Sequence, residues 1–78
     1  MREKTFRAVI TFDTTAAAMA MEKLCLAWGL PGRLIPVPRA ITANCGVAWS
    51  APSEEQERLL AAAAEAGVPT AGVYTMLL

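Results

Sequence analysis

Phe6-Arg7-Ala8-Val9-Ile10-Thr11-Phe12-Asp13-Thr14 decides how this chain folds. Phe6, Ala8, Ile10 and Phe12 recur at every second position among β-branched neighbours, so they share one face of a strand. Asp13 and Thr14 follow at once with side-chain oxygens that can cap a helix. In that helix Ala18, Met21, Glu22, Cys25 and Gly29 fall on one side at three-to-four spacing. Gly29 with Pro31 ends it after about 15 residues.

Further along, Arg33 to Pro36 reads as a short second strand, and Gly46-Val47-Ala48-Trp49-Ser50 alternates Val47 and Trp49 as a third. Pro52 opens a second helix, in which Ser53 and Gln56 have the spacing of a capping box and acidic residues occupy the first turn. The alanine-rich stretch through Ala66 favours helix strongly, and Gly67 stops it. Ala71 to Leu78 closes the chain as a fourth strand. The order β-α-β-β-α-β predicts an α+β, ferredoxin-like sandwich: a four-stranded antiparallel sheet with both helices on one face. Residues 1–78 read as a single domain without linker or repeat.

A domain of 78 residues closes one core but keeps little stability in reserve, so a homo-oligomer or a partner would help it. With 55% hydrophobic and 18% charged residues, the chain is globular and carries more apolar surface than a small soluble monomer usually shows. Trp49, Leu59 and Leu60 read as core, whereas Leu26, Trp28, Met76, Leu77 and Leu78 cannot all be inside so small a domain. Some of them are expected to meet a partner. Seven basic residues balance seven acidic ones, which argues against nucleic acid and against an anionic membrane. No apolar run approaches the ~18 to 20 residues that cross a bilayer, and the Met-Arg-Glu-Lys start leads into a strand instead of a signal-peptide core. A soluble, cytoplasmic protein is the expectation. Two cysteines in that setting read as reduced thiols, and the absence of histidine excludes a Cys/His zinc site. No metal or cofactor is called for.

The chemistry concentrates between Leu34 and Gly46. Pro36 and Pro38 each fix φ, remove an amide donor and push the preceding residue toward extended geometry, so regular structure stops and an ordered loop begins. Cys45 closes that loop beside Gly46, which adds no side chain and leaves room for another molecule to approach. Arg39, six residues earlier, can favour the thiolate if the loop folds back, or can anchor the loop by bonding free carbonyls. Amides from Asn44 to Gly46 can form an anion-receiving nest. Glu22, on the mainly apolar side of the first helix, is a secondary candidate for orienting the loop, against the ordinary reading of a boundary carboxylate. Cys45 can be a small apolar residue instead of a reactive one; Cys25, on the inner side of a helix, is expected to be core.

Phe12, Glu22-Lys23, Pro36-Val37-Pro38-Arg39 and Cys45-Gly46 together resemble the small selenium/sulfur carrier protein-like family, along almost the whole chain. The most specific part is Pro36 to Gly46. Cys25 departs from the family pattern, standing where an aliphatic residue is usual. The resemblance implies a carrier that holds sulfur or selenium as a persulfide or selenosulfide on Cys45. It also implies a donor such as a cysteine desulfurase or a selenium donor, and an acceptor enzyme. Such a carrier has no turnover of its own. Two other classes compete, a non-catalytic protein-interaction or regulatory domain and a thiol redox sensor. The sensor is weakened because there is no Cys-x-x-Cys and no histidine base.

Overall fold

The side chains of β1 (Phe6–Thr11) point alternately into two different layers, and the rest of the fold is built around that strand. The computed structural model describes residues 4–41 and 45–78. After β1 come α1 (Thr15–Trp28), β2 (Arg33–Pro36), β3 (Val47–Pro52), a short 3-10 turn (Ser53–Glu55), α2 (Gln56–Ala66) and β4 (Gly72–Leu77). The sheet runs β2-β3-β1-β4, and every neighbouring pair is antiparallel. This is the expected ferredoxin-like α+β arrangement.

The register places Ile10 opposite both Trp49 and Val73, and Leu34 opposite Trp49, on the face that carries the helices. There they pack with Met21, Leu24 and Cys25 of α1 and with Leu59, Ala62 and Ala63 of α2. Ile10, Phe12, Met21 and Leu59 are wholly buried; each such side chain contributes roughly 1.5–3 kcal/mol. Phe6 shares the face of Ala8 and Ile10 but is not buried. It pairs with Leu77 at the end of the sheet, where both are more than half exposed, so the buried side of β1 starts at Ala8.

The other face is not simply solvated. Val9 and Ala48 are fully buried there beneath Ile41, with Ile35, Val37 and Met76 around them. The chain after β2 makes a turn in which the Ile41 amide donates to the Pro38 carbonyl at 2.9 Å, and this folds Ile41 back over the sheet.

Local signals explain the helix ends. Thr14 has extended backbone, and its hydroxyl accepts from the Ala17 amide at 3.1 Å. Gly29 stops α1 at φ 67°, with the Leu30 amide donating to the Cys25 carbonyl at 2.9 Å. The expected capping box of Ser53 and Gln56 does not form. The 3-10 turn delays α2 by three residues, so Gln56 becomes the first residue of the helix, and its side-chain oxygen accepts from the Thr75 hydroxyl at 3.2 Å.

Candidate functional site

Strands β2 and β3 form a hairpin whose ladder runs from Arg33 opposite Ser50 to Pro36 opposite Val47. One more bond, from the Val37 amide to the Gly46 carbonyl at 3.0 Å, extends it to the rim. Cys45 lies just past that last pair. Its side chain turns to the helix side, where it packs against the main core and stays half exposed. Its Sγ–H donates to the Val47 carbonyl at 3.1 Å. Gly46 next to it holds φ 76°, and nothing lies within 4 Å of where a Cβ would stand. The thiol is therefore both seated and approachable, which a purely buried or purely loop-borne cysteine would not be.

Arg39 is exposed in the turn between Pro38 and Ile41. The flanking Val37 and Ile41 pack on the face away from the helices, whereas Cys45 packs on the helix side, and no hydrogen bond or ion pair joins Arg39 to another described residue. Glu22 is half-buried on α1, also without an ion pair among the described residues. Asn44, expected to contribute to an anion nest, lies outside the described residues.

Cys25 is 1% exposed inside the main core, and burial pushes its thiol above the ordinary value of 9.0 because the thiolate would lose its hydration. It sits ten residues into α1 from Thr15, about 15 Å along the axis at 1.5 Å per residue. Helix α1 begins where β1 ends, and Thr11 at that end pairs with Ala48, three residues beyond Cys45. The register thus places Cys45 near the end of the sheet where α1 starts and Cys25 ten residues down that helix. The unfolded chain releases the Cys25 proton at lower pH than the folded one, so stability is full below pH 9.0 and falls as pH rises through it. Urea midpoints measured about one unit below and above that pH are expected to drop more for the parent chain than for Cys25→Ala. Equal drops would show that Cys25 ionisation is not linked to unfolding.

Counting charges along the chain misses how they are sorted in space. Asp13, Glu22, Glu54, Glu55, Glu57 and Glu65 all belong to the helices or to the segments that lead into them. Lys4, Arg7 and Arg33 line a cleft of about 750 Å³ at the sheet, floored by Ile35, Ser50 and Pro52, with no acidic side chain in its lining. Arg7 lies along that floor, its Nε donating to the Ser50 hydroxyl at 3.1 Å and Nη2 to the Ser50 carbonyl at 3.3 Å. One signal was available in the sequence: the strands carry two charged residues, Arg7 in β1 and Arg33 in β2, and both are arginines.

The sequence matches the family described as "Putative Se/S carrier protein-like" over residues 7–75. The chain belongs to that family. The match runs from Arg7 in β1 to Thr75 in β4 and includes the hairpin that carries Cys45. No curated protein and no solved structure matches the chain. Among the described residues of the domain, no three His, Cys, Asp or Glu residues come together as metal ligands, and no helix is long and apolar enough to cross a membrane.

Proposed function

We propose that this domain is a sulfur or selenium carrier in the cytoplasm and that Cys45 is the thiol that holds the atom. The observation that carries the reading is the contrast between the two cysteines within a carrier-like family: Cys45 is half exposed beside an open Gly46, while Cys25 is sealed in the core. The Cys45 thiolate attacks the terminal sulfur of a persulfide on a donor such as a cysteine desulfurase. A new S–S bond forms to Cys45, the donor's S–S bond breaks, and the donor leaves as a thiolate. A selenosulfide donor reacts in the same way through Se. An acceptor enzyme then takes the terminal atom by the reverse displacement, and the domain itself has no turnover. The bond from Cys45 to the Val47 carbonyl supports a resting thiol that is kept in place until its proton leaves. Arg39, exposed on the loop that leads to Cys45, is assigned to the anionic cargo or to the donor's surface.

The test is loading by a small-molecule or desulfurase-bound persulfide, read by intact mass. A gain of ~32 Da for sulfur or ~79 Da for selenium is expected on the parent chain, with none on Cys45→Ser and slower loading on Arg39→Ala. Undiminished loading of Cys45→Ser would end the proposal. Oxidation of the parent by peroxide alone, to a sulfenic acid or a disulfide and with no cargo uptake from any donor, would favour the redox-sensor reading instead.

A further inference from the structure

The two edges of the sheet are built differently. β2 is four residues long, begins with an arginine and ends in a proline, features that keep a strand edge from pairing with another chain. β4 is six residues, Gly72-Val73-Tyr74-Thr75-Met76-Leu77, with no charge and no proline. Among the described residues, four of the seven large exposed hydrophobic ones, Phe6, Tyr74, Leu77 and Leu78, lie on this strand or beside it.

The hydrogen bonds fix which backbone groups face outward. Thr5 and Leu78 exchange both bonds at 3.0 Å, so they form a hydrogen-bonded pair. In an antiparallel ladder such pairs alternate with pairs that do not bond. Met76 and Tyr74 therefore bond inward to β1, while Val73, Thr75 and Leu77 turn their N–H and C=O groups away from it.

We infer that β4 is the docking site for β4 of a second copy of this chain, paired antiparallel about a two-fold axis at Thr75. In that register Thr75 faces Thr75, and Val73 of each copy faces Leu77 of the other. All three are hydrogen-bonded pairs, so every outward group of β4 is satisfied. A shift by two residues in either direction leaves one pair fewer. Val73 and Leu77 lie on the same face and meet as apolar cross-strand neighbours, and no charged residue of β4 opposes another. An isologous contact of this kind closes on itself as a dimer.

The resulting sheet has eight strands, with β2 at both ends. Five strand spacings separate the two β3 strands, about 24 Å, so the Cys45 sites stand apart and stay open to separate partners. This inference does not rest on the carrier reading.

Sedimentation equilibrium of the full chain tests it. The expected result is a concentration-dependent rise from 8.3 kDa toward twice that mass. Thr75→Lys puts two ammonium groups face to face and is expected to weaken the dimer at least ~10-fold, with circular dichroism unchanged. Thr75→Pro removes only outward amides, which an edge strand tolerates, and should act the same way. In a Cys45→Ser background, Thr75→Cys is expected to cross-link on mild oxidation up to the dimer fraction measured by sedimentation, which keeps the test decisive should either other variant fail to fold. A monomer at every concentration up to ~1 mM, a dimer indifferent to the folded Thr75 variants, or no Thr75→Cys cross-link at dimeric concentrations would overturn it.

Discussion

Gly32→Ala is expected to destabilise the domain by at least ~3 kcal/mol, a drop in Tm of roughly 12 to 24 °C for a chain of this size. Gly32 holds φ 124°, where residues with a Cβ rarely go, and a Cβ built there meets the Trp49 indole and stands 2.7 Å from the Ser50 carbonyl. Neither neighbour can yield easily. Trp49 is buried, and its Nε1–H donates to the Pro31 carbonyl at 3.2 Å, while Ser50 is held in the ladder opposite Arg33 and by Arg7. The methyl group would push β2 off β3 and with it loosen the hairpin that presents Cys45. Gly46→Ala provides the contrast: φ is again positive, 76°, but the space is open, so a cost of only ~1–2 kcal/mol is expected. Thermal melts of both variants check this pair. Similar Tm values for the parent and Gly32→Ala would show that the approach of the two backbones is looser than described.

Alkylation of the native protein is expected to modify Cys45 at least ~100-fold faster than Cys25, because a thiol 1% exposed reacts only when the core opens. Burial also keeps Cys25 protonated to higher pH, which lowers the share of the reactive thiolate in the same direction. Peptide mapping after a short pulse of reagent measures the ratio, and a denatured control should bring the two rates together. Faster labelling of Cys25 would exchange the roles of the two residues. Stability gives an independent reading. Cys25→Ser places a hydroxyl in an apolar core and should cost ~1–2 kcal/mol, whereas in Cys45→Ser the new hydroxyl can keep the bond to the Val47 carbonyl and should cost less.

The elements of this domain were legible from neighbours in sequence. Alternation from Ala8 to Phe12, the Thr14 cap, the stop signals at Gly29 and Gly67 and the four-residue strand from Arg33 to Pro36 are local, since each depends on residues a few positions apart, and they appear where the pattern places them. The order of those elements sufficed for the fold class. Cys45 stood out for a similarly local reason, as a thiol beside glycine after a proline-rich stretch.

What the tertiary structure alone decided depends on residues distant in sequence. Gln56 opens α2 instead of closing a capping box, and its side-chain oxygen accepts from Thr75, nineteen residues away, a partner that no local pattern names. Ile41 reads as a loop residue until the turn at Pro38 lays it over Val9 and Ala48, giving the sheet a second buried face. Cys45 gained packing as well as access because the last ladder pair sends its side chain to the helix side. The charges balance along the chain, yet Lys4, Arg7 and Arg33 gather around one cleft that no acidic side chain lines. Periodicity and caps act within a few residues, so one sequence reports them; register, burial and the direction of a side chain are set by contacts between strands, and only the closed sheet contains them.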